Sequence, residues 1–184
     1  AHTDTAHSIL ESLVERDDAP VEAHFVLAML HDAGGDNDKA VAGYRRVIDL
    51  DAGRAVAKNN LAMILIQQDG GLSEAIQLGT EAVKADPANP NFRDTLAFAL
   101  AKSGNLDQAV TELEAAIHVA PDNPIWQINL AWLLVENGQN GDARELIETV
   151  TSIGLNADSL PDPVRVRYDQ LQSKLSASAA PASG

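Results

Sequence analysis

A repeat of 34 residues is the feature that most constrains how this chain can fold. The segment GNLDQA at residues 104–109 aligns with similar segments that begin at Gly70 and Gly138. Another copy begins at Gly35, and the dipeptide Leu-Ala recurs at nearly the same interval, at Leu27-Ala28, Leu61-Ala62, Leu96-Ala97 and Leu130-Ala131. A fixed period of this length indicates one structural unit that is repeated along the chain.

Each unit has the pattern of two helices separated by a turn. Between residues 90 and 123, apolar side chains recur at helical spacing on both sides of the Gly104-Asn105 turn. Pro121 ends the second helix, because proline cannot continue one. Small side chains at one position of every second helix predict close helix packing: Ala40, Ala75, Ala109 and Ala143. A lone helix pair cannot bury its apolar face, so the units are expected to stack on one another.

Composition and charge exclude several classes of function. The chain has no cysteine, which excludes disulfides, cysteine metal sites and a thiol nucleophile. Its net charge of −14 argues against nucleic acid and anionic membrane partners and favours a basic partner. The sequence contains no apolar stretch of membrane-spanning length, so membrane insertion is not expected.

The sequence predicts neither catalysis nor a cofactor. It lacks the nucleophile and phosphate-binding motifs of the common enzyme folds, and we therefore expect no catalytic residue. His24 and His31 share a helix face but lie about 10 Å apart along it, which is too far for one metal ion. Both are predicted to be surface residues. The acidic turn around Asp36 lacks the ligand order of a calcium loop, so no metal site is predicted.

These features together resemble the tetratricopeptide repeat (TPR) family: Leu-Ala in the first helix, glycine at the turn, alanine in the second helix and proline at the end. The resemblance implies an all-α, right-handed superhelix (an α-solenoid) of antiparallel helix pairs. The run from Asn89 to Leu96 also resembles, more weakly, bacterial TPR proteins of exopolysaccharide and cell-surface export systems. This leaves the compartment open between the bacterial cytoplasm and periplasm.

The repeat markers divide the chain into one predicted solenoid over residues 1–175. It consists of a half repeat, four whole repeats and a capping helix, at residues 1–20, 21–54, 55–89, 90–123, 124–153 and 161–175, followed by a flexible tail at 176–184. The half repeat fits a second helix with an apolar stripe formed by Ala6, Ile9, Leu10, Leu13 and Val14, so the chain is expected to begin inside a repeat. In the capping helix, Val164, Tyr168, Leu171 and Leu175 are expected to face the solenoid, whereas Arg165, Arg167, Gln170, Gln172 and Lys174 are expected to face away.

The resemblance implies that the first helices line a concave groove that binds peptides. The candidate groove residues, transferred position by position, are Phe25, Met29, Asn59, Asn60, Met63, Asp94, Thr95, Phe98, Lys102, Ile128, Asn129 and Trp132. Val26 and Val56 occupy further positions of the same set. The asparagines at the sixth position, Asn60 and Asn129, either bind the backbone of an extended peptide or bond a neighbouring helix. Lys102 is the only basic residue among these positions, which argues against an acidic peptide tail as the ligand.

The first helix of the fourth repeat is apolar on every side, from Ile125 to Val135, and needs cover on every side. Either the capping helix covers it or a partner docks on Phe98, Ile128 and Trp132. The predicted function is a non-catalytic scaffold that binds a basic or apolar protein segment in the groove, as part of a larger bacterial assembly. The alternative is self-association into a homo-oligomer through residues 1–16.

Overall fold

A computed structural model describes residues 2–68 and 71–178. Within these ranges the chain forms ten α-helices and one short 3-10 helix. The helices are α1 (His2–Val14), α2 (Val21–Ala33), α3 (Asn37–Leu50), α4 (Ala55–Gln67), α5 (Leu72–Ala85), α6 (Pro90–Lys102), α7 (Leu106–Val119), α8 (Pro124–Glu136), α9 (Asn140–Ser152) and α10 (Asp162–Ser178), with the 3-10 helix at Ala157–Ser159. None of the helices in the described ranges has the length and apolar character needed to cross a membrane.

The chain divides into two compact units, residues 1–87 and residues 88–184. In the first unit, α2 pairs with α3 and α4 pairs with α5, while α3 packs on α4 and α1 packs on α2. In the second unit, α6 pairs with α7 and α8 pairs with α9, while α7 packs on α8 and α10 packs mainly on α8. The pairing of neighbouring helices is the one that the repeat pattern predicts. The division of the chain into a half repeat, four repeats and a cap within a single domain stays a prediction.

The turns between paired helices depend on glycine. Gly35, Gly104 and Gly138 follow the first helices with φ angles of 77°, 85° and 80°, a conformation that other residues rarely adopt. At one of these turns the N–H of Asn105 bonds the carbonyl of Leu100 at 2.9 Å, which closes the end of α6. The equivalent Gly70 lies outside the described residues, so the turn predicted there is not described.

Asparagine and proline begin two of the first helices in the second unit. The side chains of Asn89 and Asn123 accept bonds from the N–H groups of Asn91 and Ile125, at 3.1 and 3.0 Å. A proline follows each cap as the first helical residue, where its missing N–H leaves no helical bond unmade.

The small residues predicted to allow close packing are buried. The alanines of the four second helices are all fully buried: Ala40, Ala75, Ala109 and Ala143. Their short side chains let the paired helices approach closely, and branched aliphatic residues of the same second helices, such as Leu113 and Val150, are fully buried as well.

The prediction for His31 is wrong. Instead of lying on the surface, His31 is 8% exposed, and its ring meets that of His7 edge-on, with the ring centroids 4.8 Å apart. His7 belongs to α1, and the packing of α1 on α2 covers the face of α2 on which His31 lies.

The predicted ends of the chain are described only in part. The side chain of Ala6 lies outside the described residues, and so do residues 179–184 of the predicted tail. Residues 176–178 continue α10 beyond the predicted end of the capping helix at residue 175.

Candidate functional site

The first helices of the first unit carry exposed apolar side chains at the predicted groove positions. On α2, Val26 is 44% exposed and Met29 is 45% exposed. On α4, Val56 is 45% exposed and Met63 is 38% exposed. Large apolar side chains are usually buried, yet these four are exposed on the first helices of two neighbouring repeats, where Met29 and Met63 hold equivalent positions. We refer to these four residues as the apolar strip.

Tyr44 on α3 joins the two helices that carry the strip. Its buried ring lies 6.1 Å from that of Phe25 on α2, measured between centroids. Its hydroxyl donates to Asp32 and accepts from the amide of Asn60 on α4, both at 3.2 Å. Burial raises the pKa of Tyr44 to about 12, so the hydroxyl stays protonated and remains a donor at neutral pH.

Arg54, the residue before α4, contacts two side chains of α2. Its guanidinium lies 5.0 Å from the centroid of the Phe25 ring and bonds the carboxylate of Glu22 at 3.1 Å. The Glu22 charge on α2 is therefore partly balanced within the fold.

The two neighbouring asparagines on α4 differ in their surroundings. Asn60 is half-buried and bonded to Tyr44, whereas Asn59 is buried and donates to the amide oxygen of Asn60 at 3.4 Å. The side-chain oxygen of Asn59 has no hydrogen-bond partner within the described residues. The amide of Asn60 thus makes the bond to a neighbouring helix that was one of its two predicted roles.

In the second unit, the predicted groove positions surround Arg167 of α10. The guanidinium of Arg167 donates to the amide oxygen of Asn129, whose amide nitrogen donates to Asp94 at 2.8 Å. The guanidinium also lies over the rings of Phe98 and Trp132, at 4.4 and 5.3 Å from their centroids. Five side chains from α6, α8 and α10 thus form one polar and aromatic cluster, the Arg167 cluster.

Burial sets the ionisation of the Arg167 cluster. Desolvation raises the pKa of Asp94 to about 6, although the bond from Asn129 and the charge of Arg167 both act to lower it. Desolvation likewise lowers the pKa of Arg167, against the attraction of Asp94. Asp94 is therefore an acid whose charge changes close to neutral pH.

The expectation that Arg167 faces away from the solenoid is wrong, whereas Gln172 and Lys174 are exposed as expected, although Lys174 also reaches α8. Arg167 lies in the cluster, Gln172 bonds the hydroxyl of Tyr168 at 2.6 Å, and Lys174 bonds Glu136 of α8 at 2.6 Å. The apolar stripe of α10 is buried as predicted, at Val164, Tyr168, Leu171 and Leu175. The physical reason is that Arg167 lies at the margin of this stripe. Burying the stripe against α8 therefore also brings Arg167 against that helix.

The apolar helix α8 is covered by α10, which was one of the two alternatives for it. Ile128 is fully buried and Asn129 is 2% exposed, so neither is accessible in this arrangement. Thr95 is also buried, and its hydroxyl bonds the carbonyl of Asn91 within α6 at 3.1 Å. Lys102 is exposed at the end of α6. In the second unit, α10 thus occupies the predicted groove positions at Phe98, Asn129 and Trp132, whereas an apolar strip is exposed in the first unit.

Paired helices with glycine turns and a small-residue core define the class of α-solenoid repeat proteins. Models of the tetratricopeptide repeat match residues 2–55 and 33–90, and again 67–127 and 108–175. The chain belongs to the TPR family, and its general role is that of a scaffold for protein–protein interaction. No curated protein matches the sequence significantly.

Solved structures show the same fold. MamA from Desulfovibrio magneticus RS-1 superposes with a TM-score of 0.76 at 17% identity, covering 82% of this chain and 84% of that one. TTC0263, a thermophilic TPR protein from Thermus thermophilus, gives a TM-score of 0.70 at 19% identity, covering 93% and 91%. A mutant O-GlcNAc transferase from Thermobaculum terrenum gives 0.65 at 22% identity, covering 72% of this chain but only 26% of the transferase. The fold is therefore an all-α TPR solenoid, as predicted, whereas the weaker resemblance to export-system proteins stays a prediction.

Proposed function

We propose that this chain is a non-catalytic scaffold that binds an apolar segment of a partner protein on the apolar strip of its first unit. The observation that carries the proposal is the exposure of Val26, Met29, Val56 and Met63, which lies between 38% and 45%. A partner that covered these side chains would remove apolar surface from water, which is the main favourable contribution to such binding.

The side chains around the strip favour an apolar segment over a strongly basic one. Glu22, the acidic group at its margin, already bonds Arg54. Methionine side chains adapt their shape to different ligands, so Met29 and Met63 suit a surface that accepts more than one side-chain shape. In the second unit, binding at the predicted groove positions would require α10 to leave the Arg167 cluster.

Selection of peptides that bind this chain from a random display library, followed by affinity measurements on variants of the chain, tests this proposal. We expect the selected peptides to carry apolar anchors, and Met29→Glu or Met63→Glu to weaken their binding about 10- to 100-fold, the cost of losing one buried methionine contact. Fluorescence anisotropy with labelled peptide measures the affinity. Both methionines are exposed, so a glutamate at either position is compatible with folding.

Leu50→Glu is the matched control. Leu50 is 40% exposed, but it is the last residue of α3 and therefore does not lie on α2 or α4, which carry the strip. It should leave the affinity unchanged. Peptides that lose the same affinity in all three variants, or that bind all three as well as the original chain, would contradict the assignment of the site.

One observation favours self-association as a second candidate function. Ile9 on α1 is 62% exposed, and Leu10, Leu13 and Val14 are only half-buried against α2. A second copy that packed on this face would cover all four side chains. Light scattering over a range of concentrations should then show a dimer that Ile9→Glu dissociates, and a monomer at every concentration would refute this candidate.

A further inference from the structure

Two histidines and a glutamate meet where α1 packs on α2. His7 and Glu11 lie one turn apart on α1, and His31 faces them from the last turn of α2. Each residue can offer one nitrogen or oxygen atom such that all three atoms lie within 4.8 Å of one another. These atoms come from two consecutive helices, and their proximity results from the packing of α1 on α2.

The distances approach those of a zinc site. Zinc bonds imidazole nitrogen and carboxylate oxygen at about 2.0–2.2 Å in a tetrahedron, which places neighbouring ligand atoms about 3.3 Å apart. The Nε2 atom of His7 and a carboxylate oxygen of Glu11 are 3.4 Å apart. The side chain of Glu11 is 52% exposed, so it can move toward an ion without disturbing the core.

The buried member of the group is suited to be a ligand. His31 is 8% exposed and its ring lies 4.8 Å from that of His7, measured between centroids, so its position relative to the other ligands is set by the fold. His31 is held in place by the packing of α2, whereas His7 is half-buried on the packed side of α1. One rigid ligand and two more accessible ones give an ion a path from solvent.

We propose that His7, Glu11 and His31 bind a zinc ion that fastens α1 to α2. Three protein ligands leave the fourth tetrahedral position to water. Bound zinc would add a direct link to a helix that packs on α2 mainly through half-buried side chains. This proposal is independent of the peptide-binding strip, whose residues are Val26, Met29, Val56 and Met63.

Calorimetric titration of the full chain, free of any histidine tag, with zinc chloride at pH 7.5 tests the proposal. We expect one ion per chain, no comparable heat with magnesium chloride, and a rise in melting temperature with zinc, because an ion that binds the folded state stabilises it. His7→Gln and Glu11→Gln should each weaken zinc binding at least about tenfold. Absence of binding at a 1:1 ratio would overturn the proposal.

His24→Gln is the matched control, since His24 lies on the same helix as His31 and is not part of the group. It should leave zinc affinity unchanged. His31→Asn distinguishes the proposed site from binding by α1 alone, with circular dichroism to check that the variant is folded. Unchanged affinity in a folded His31→Asn variant, or equal losses in the His24 and His7 variants, would refute the site.

Discussion

At the scale of single residues, burial changes the ionisation of Asp94. Its pKa in the folded protein is about 6, above the ordinary value of 3.8, so folding favours the protonated form. The resulting stabilisation is fully present below about pH 4 and is lost as the pH rises through about 6.

Asp94→Asn should remove this loss. Because one pKa unit corresponds to about 1.4 kcal/mol, the variant should gain up to roughly 3 kcal/mol relative to the original chain between pH 4 and pH 7. Urea denaturation at the two pH values measures the free energy of unfolding of both proteins. Losing the carboxylate beside Arg167 does not change this result where its cost is the same at both pH values, because such a cost cancels in the comparison. Parallel stability curves would contradict the raised pKa.

Asp36→Asn is the control of opposite sign. The pKa of Asp36, the exposed N-cap of α3, is lowered by its bond to Lys39, so its stabilisation is present above the ordinary pKa and lost as the pH falls through the lowered value. Asparagine also caps helices well, so the variant should fold. Relative to the original chain, this variant should lose stability as the pH rises toward 3.8, and the two stability curves should run nearly parallel between pH 4 and pH 7.

At this scale the sequence predicts burial better than it predicts partners. The buried alanines follow from the repeat register, since one position of each unit recurs in one environment. The bond between Arg167 and Asn129 joins residues 38 positions apart, and no periodicity specifies which side chains meet across α8 and α10. One signal was available: Arg167 lies three residues after Val164 and four before Leu171, and such spacings share a helix face.

At the scale of the helices, α3 packs closely on α2 at Gly43. A Cβ atom added there would lie 2.7 Å from the Cβ atom of Ala28 on α2. Gly43→Ala should therefore destabilise the chain by about 1–3 kcal/mol, because this clash outweighs the higher helix propensity of alanine. Thermal or urea unfolding measures the loss.

Gly141 of α9 provides the comparison, since a Cβ atom there would meet nothing within 4 Å. Gly141→Ala should leave stability unchanged or raise it by up to about 1 kcal/mol, the difference in helix propensity. If both substitutions had the same effect, close packing would not be what requires glycine at position 43.

The sequence predicts helix ends well because glycine and proline act locally. The turn at Gly104 and the start of α8 at Pro124 depend on backbone properties of single residues. The contact between α1 and α2 that buries His31 depends instead on how two helices pack, which is why the histidine was assigned to the surface. The same limit applies to the strip, whose exposure depends on what packs over α2 and α4.

For the molecule as a whole, the net charge of −14 is the property that most affects its response to solution conditions. Like charges repel in the folded chain, and salt screens this repulsion. Exposed ion pairs such as Arg45–Glu74, at 2.8 Å, are weakened by salt as well, but each contributes at most about 1 kcal/mol.

We therefore expect the melting temperature to rise between 10 and 500 mM NaCl, by about 2–4 °C for each kcal/mol of repulsion removed. Replacing three exposed acids, Glu114, Glu148 and Asp169, with lysine changes the net charge from −14 to −8 and should reduce the rise. Calorimetry of both proteins at the two salt concentrations measures the difference. An equal rise in both would show that salt acts through some effect other than net charge, and a fall in the original chain would show that its ion pairs outweigh its repulsion.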